Sequence, residues 1–323
     1  MQSIDEIKLY RYRIPCQTGV VLRKQPLVER QGFIIQLERS GKMGFGEIAP
    51  LPTFSAETLE MAEQQLKCWC QSPTRNVEDL YPSVAFGLSC ALAELEGALG
   101  EEGAFESALL CDGNMAAFKA KLAQTGSSLA KIKIGFDAKQ EGLLANRLLA
   151  EFPQLQLRLD ANRAWQLDQA VEFAQQIAKS LRSRIQFIEE PCQTPLLSRQ
   201  FAQLTGIAIA WDETVREADF CVKKEPYLNA IVIKPTLVGS LAKCIDLIQQ
   251  AHQQGLQVVI SSSIESSLGL SQLARIAKQY TPESVAGLDT LHLMKVQLVR
   301  AWSGSSLPLV DLQSEFIEPI QFA

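Results

Sequence analysis

Histidine is scarce in this chain: His252 and His292 are the two in 323 residues, and neither stands beside another ligand type at a recognisable spacing. Mechanisms built on a histidine base start at a disadvantage, and a histidine-rich metal site is excluded. No uninterrupted apolar run reaches the roughly 18 residues that a membrane helix needs, and no charged-then-apolar leader opens the sequence. Membrane spanning and secretion are therefore not expected, and the expected compartment is the cytoplasm. The net charge of −5 is spread without a basic block, so neither nucleic acid nor an anionic membrane surface is an expected partner. Nothing in the composition calls for an obligatory protein partner. The eight cysteines lack paired zinc-type spacing and fall largely in apolar stretches, which suits reduced, buried thiols. No strand-like run leads into a glycine-rich phosphate loop, since Gly44-x-Gly46 lacks a third glycine.

What is present is a chain 47% hydrophobic, enough to bury a substantial core around a small-molecule site. Residues 1–104 read as an α+β lobe. Alternating stretches at 7–14, 32–38 and 43–48, with Ser40-Gly41 between the last two, predict a small antiparallel sheet. A helix is expected from Ser55 with Leu59, Ala62, Leu66 and Trp69 on one face, and a second, apolar almost all round, from Val84 to Leu99. From about residue 105 short β-branched runs alternate with helical patterns: 131–134, 155–161, 185–190, 207–212, 230–234, 258–262 and 285–288. Such alternation predicts parallel strands with helical crossovers, and seven or eight units favour closure into a modified (β/α) barrel over residues 105–294. The stretch is short for that fold, so one unit is expected to be incomplete. An open doubly wound sheet is the structural alternative.

The strands end in charge. Lys131-Ile-Lys133 places two ammonium groups on one strand face, while later strands finish in Asp160, Glu189, Asp212 and Lys234. Lys-x-Lys on an edge strand is ordinarily a solvated stripe, and Asp or Asn ends strands by making turns. In a barrel, however, the C-terminal strand ends converge on one mouth, so carboxylates 29 and then 23 residues apart would share a pocket. Clustered carboxylates need a compensating cation, and hard oxygen donors without histidine or cysteine point to Mg²⁺ or Mn²⁺. Ammonium groups on both flanks suit an anion whose charge grows during reaction, as when a proton is removed α to a carboxylate. A lysine base must be neutral, and a neighbouring ammonium and a metal ion would bring it from about 10.4 towards ~7–8.

This constellation resembles the muconate-lactonizing branch of the enolase superfamily, for which lysine bases with Mg²⁺ are a known pairing. The stretches PSVAFGLSCALAELEGAL, KIKIGF, LRLDANRAW, EEPC, GIAIAWDET, VIKPTLVGSL and VISSSIESSLGL are similar to the o-succinylbenzoate synthase family of proteobacterial type, over essentially the whole chain. The resemblance implies an α+β capping domain, residues 1–104 with 295–323 returning to it, on the barrel. It implies Asp160, Glu189 and Asp212 as Mg²⁺ ligands and Lys133 as the base in a syn-dehydration that yields 2-succinylbenzoate for menaquinone synthesis. Lys234 would stabilise the enediolate, and Lys131 would hold down the proton affinity of Lys133. Ser261, Ser262 and Gly287 would meet the substrate's succinyl group, and Arg158, on the same face as Asp160, is a further candidate or else a core-buried ion pair. Loops around Val20 and at 50–54 look like capping loops, and the segment 307–312 is expected to return to the first lobe. Glu190 and Glu213 should point away from the site, and Trp165 and Trp211 should serve packing. The same scaffold leaves an N-acylamino-acid racemase or dipeptide epimerase open as the alternative.

Overall fold

The computed structural model describes residues 4–23, 25–74, 76–100, 106–111 and 114–322. Its first part is a four-stranded antiparallel sheet in the order Ile317–Ile320, Glu6–Pro15, Glu29–Arg39, Lys42–Ile48. Ser40 and Gly41 both take positive φ, 51° and 76°, the geometry a two-residue hairpin turn demands. The segment that returns to this sheet is Ile317–Ile320, which pairs with Glu6–Pro15. The segment 307–312 adds no strand to it: Leu309–Val310 pairs with Gln297–Leu298.

Two helices cover one face of the sheet. The first begins at Leu59, capped by Thr58, and not at Ser55, whose hydroxyl is drawn off to accept the Leu51 N–H at 2.8 Å. The second, Pro82–Glu96, stops earlier than expected because Gly97 takes the left-handed conformation that ends a helix. Its axis lies hard against Lys42–Ile48: a Cβ on Gly46 would stand 1.9 Å from the Gly87 carbonyl oxygen. Glycine at this crossing is therefore a steric requirement.

The second part is a seven-stranded parallel sheet whose strands follow in chain order: Leu109–Cys111, Leu129–Lys133, Gln156–Asp160, Ile185–Glu189, Ile209–Trp211, Leu228–Ile233 and Gln257–Ile260. Ala286 and Gly287 close the ring, bridging Ser107 on one edge and Ser261 on the other. Ala108 donates to the Ala286 carbonyl at 2.9 Å, and Gly287 to that of Ile260 at 2.9 Å. The incomplete unit is the fifth. Between Trp211 and Leu228 the chain forms only the short 3₁₀ turn Glu213–Arg216.

Strand alternation sorts the two faces. Ile132, Leu159, Ile188, Trp211, Ile231 and Ile260 face outwards into the main core with the helices, while Phe187, Ala210, Ala230, Val232 and Val259 form a small apolar cluster inside the ring. The interior cluster is rich in small residues because long charged side chains share the lumen with it. Among the described residues no helix is long and apolar enough to cross a membrane.

Candidate active site

Parallel register brings Lys133, Asp160 and Glu189 level with one another on three neighbouring strands. Asp212 and Lys234 follow immediately after the next two strands, where the chain leaves the sheet. All share the inward face at the mouth. Lys131, one interior layer down and in register with Arg158, reaches up: its Nζ lies 2.9 and 2.7 Å from the two Glu189 carboxylate oxygens and 3.0 Å from Asp160 Oδ2. Lys234 pairs with Asp212 across the site. Lys131 and Lys234 thus supply the compensating charge that three buried carboxylates require.

The acids respond differently. Burial alone would raise Asp160, but the ammonium groups of Lys131, Lys234 and Lys133 hold it below the usual carboxylate range. Glu189, more fully buried, is raised: burial and the neighbouring Asp160 and Asp212 charges outweigh Lys131 and Lys234. Burial would lower Lys131 and Lys234, yet the carboxylates around them raise both, so each stays charged. Among the described residues no hydrogen bond or ion pair engages the Lys133 ammonium, whose residue is exposed at the mouth.

A cavity of about 580 Å³ opens over this cluster, with Lys131, Lys133, Asp160, Asn162 and Lys234 on its floor. Ser261, Ser262, Gly287 and Ile264 form one wall, and Gly19–Leu22 with Leu51 and Phe54 close the other. The two loops marked out in the sequence therefore both border the cavity. Arg23 ties them together, donating to the Thr53 carbonyl at 2.7 Å with its guanidinium 4.2 Å above the Phe54 ring. Asp289 and Thr290, beyond the closing segment, also line it and were not anticipated, since a lone Asp-Thr after a two-residue bridge carries no periodic signal.

Arg158 does not line the cavity. It is buried in the barrel floor, donating to Gln186 Oε1 at 2.8 Å and the Val285 carbonyl at 2.6 Å, with Phe187 beneath it. Alternation gave the correct face, but depth within the lumen is set by register, which a single strand does not reveal. Glu190 points away from the mouth and accepts the N–H groups of Asp212 and Thr214 at 3.1 and 2.9 Å, so it shapes the turn that presents Asp212. Glu213 accepts from Asn162 at 3.4 Å, and burial and the adjacent Asp212 charge raise its pKa.

Three hard-oxygen donors at neighbouring strand ends fit a divalent cation chemically, and the buried Asp212 Oδ1 has no hydrogen-bond partner among the described residues. Among the described residues no three His, Cys, Asp or Glu side chains are grouped to hold a metal ion, and the Lys131 ammonium bridges Asp160 and Glu189.

A family model described as the MenC N-terminal domain matches residues 4–95, and one described as an enolase C-terminal domain-like family matches residues 114–299. An o-succinylbenzoate synthase from Haemophilus influenzae is 54% identical over 322 residues, 97% of this chain and 98% of that protein. One from Pasteurella multocida is 52% identical over 335 residues, covering 99% of each. Among solved structures, o-succinylbenzoate synthase from Thermosynechococcus elongatus BP-1, complexed with Mg in its active site, superposes with a TM-score of 0.72 at 22% identity over 94% of this chain and 95% of that one. A substrate-liganded L-Ala-D/L-Glu epimerase from Bacillus subtilis gives 0.76 at 20% identity, again over 94% and 95%. At such identities these two superpositions show the shared fold alone.

Proposed function

The chain belongs to the o-succinylbenzoate synthase family of the enolase superfamily, and from that premise we infer how its own side chains carry out the reaction. The activity is that of a carbon–oxygen lyase. Water is removed from 2-succinyl-6-hydroxy-2,4-cyclohexadiene-1-carboxylate to leave aromatic 2-succinylbenzoate, a step toward menaquinone.

Lys133 Nζ, as the neutral amine, takes the α-proton, and the electron pair left behind spreads into the carboxylate as an enediolate. The resulting ammonium then returns that proton to the departing hydroxyl on the same face, so that water leaves and Lys133 is regenerated. Lys234, held in place by Asp212, faces the enediolate as a fixed positive charge. Lys131, bound by Asp160 and Glu189, keeps its own charge beside Lys133 and closes the floor. The loop residues Val20, Leu51 and Phe54 exclude water from the charged region. Asp160, Glu189 and Asp212 would hold Mg²⁺, with Mn²⁺ as a substitute, and the bound cation would supply electrostatic compensation for carboxylate charge. Ser261, Ser262 and Gly287 stand where the succinyl arm would lie. The partner expected is this small molecule alone, and cytoplasmic residence fits its metabolic role.

The observation that carries this reading is the convergence of Lys133, Lys234 and Asp160 on one cavity floor. Supplying the cyclohexadiene substrate with Mg²⁺ and following ultraviolet absorbance tests it directly: aromatic product must accumulate, and an unchanged spectrum would sink it.

A further inference from the structure

Arg30 is a buried guanidinium bonded to both sides of the cavity. It lies on the sheet strand Glu29–Arg39 and is 1% exposed. Among the described residues its hydrogen bonds all go to main-chain carbonyls: Nε to Ile264 at 2.9 Å, Nη1 to Pro50 at 2.8 Å and Gln31 at 3.1 Å, and Nη2 to Ala49. A buried guanidinium is tolerated only when its N–H groups are satisfied, and here peptide dipoles do it.

The segments it joins are opposite walls of one cavity. Ala49 and Pro50 lead into the loop that carries Leu51 and Phe54, while Ile264 ends the wall begun by Ser261. Ile264 is β-branched yet takes φ 61°, a conformation that persists only where the surroundings over-determine it. Arg30 fixes its carbonyl, and Ser262 Oγ accepts its N–H at 2.9 Å. From Ser262 the chain of bonds continues to Glu265 at 2.8 Å, and Glu265 accepts from Thr236, two residues beyond Lys234. One guanidinium is therefore continuous, through hydrogen bonds, with the capping loop, the serine wall and the turn after a reacting lysine.

We propose that Arg30 is a positioning residue that sets the spacing between the capping loop and the Ser261–Ile264 wall, and so the fit of the substrate's succinyl arm. This rests on the dehydratase reading above. The planar fork is what the role needs: lysine keeps the charge, but its three donors radiate from one nitrogen and cannot address four diverging carbonyls at once.

The test compares Arg30→Lys and Arg30→Ala with the unsubstituted chain, with thermal midpoints recorded for each. Arg30→Lys should raise KM about tenfold while kcat stays within about threefold, because uniform binding and not transition-state chemistry is lost. The Kd for 2-succinylbenzoate should rise by a similar factor, whereas that for benzoate, which lacks the arm, should change less than about twofold. Guanidinium ion in the tens of millimolar should restore succinylbenzoate binding to Arg30→Ala, and ethylammonium should not. If Arg30→Ala fails to fold, Arg30→Lys decides. A folded Arg30→Lys with unchanged KM and product Kd, or one that loses kcat alone, overturns the proposal. A chain that, unsubstituted, neither turns over the substrate nor binds 2-succinylbenzoate overturns the dehydratase reading beneath it, a result distinguishable from the others.

Discussion

Lys133 and Asp160 stand directly opposite each other on adjacent parallel strands, in register and on the same inward face. That pairing puts the proposed proton acceptor and a proposed metal ligand side by side without help from any loop. Lys133→Ala should lower kcat by about 10²–10⁴-fold or more, the range a positioned general base supplies. Lys234→Ala should do so too, by removing the opposed charge. Lys133 is exposed at the mouth, so the thermal midpoint of Lys133→Ala should hold, whereas Lys234→Ala leaves the buried Asp212 carboxylate uncompensated and should lower it; turnover close to the unsubstituted rate in either variant would refute the assignment.

Asp212→Asn acts elsewhere. It frees Lys234 and removes the carboxylate whose Oδ1 has no partner among the described residues, so the expected loss is in divalent-cation affinity, by about 10–100-fold. Titration of Mg²⁺ against activity should show the shift. Chelator should abolish dehydration by the unsubstituted chain, and added Mg²⁺ should restore it; activity that survives chelation would remove the metal from the scheme.

Asp289 gives a pH signature. Burial would raise its carboxyl, but the His292 ring, the Lys121 ammonium at 3.1 Å and the Leu110 N–H at 3.2 Å hold it down at about 2. An unfolded Asp titrates near 3.9. The group is depressed on folding, so its contribution is complete above about pH 4 and is lost as pH falls through about 2. Discounted for the exposed Lys121, that contribution is about 1–2 kcal/mol. Urea melts of Asp289→Asn should lie below the unsubstituted chain by this amount at pH 7, and the gap should narrow between pH 4 and pH 2. A constant gap would contradict the assignment.

Gly46→Ala tests the helix seat. A methyl group 1.9 Å from a carbonyl oxygen forces Pro82–Glu96 away from the sheet, for about 3 kcal/mol or more. Denaturant midpoints should fall accordingly, and retention of full stability would show that the helix has room to shift.

Much of the charged cavity floor was legible in the sequence because each piece is local: alternation fixes which face Lys131 and Lys133 share, and strand-ending acids need only the barrel to bring them together. The fold's repeating rhythm was legible for the same reason. What escaped notice depends on depth or on distant backbone. Leu109–Cys111 is three residues long and has no alternation to display. Ser55 resembles a helix cap until Leu51 claims its hydroxyl. Arg158 shares a face with Asp160 but sits one layer lower, held by Gln186 and Val285. Arg30 carries no local signal of its role; its acceptors lie 19 and 20 residues away at Ala49 and Pro50, and 234 away at Ile264.

The Ala286–Gly287 bridge is only two residues long. By accepting and donating bonds on Ser107's side and Ser261's side at once, it occupies both borders of the parallel sheet. An unoccupied border is a template on which a foreign strand can add. Two residues thereby protect the largest sheet of the molecule from edge-to-edge self-association, and chain stretches that flank them carry the wall of the cavity as well.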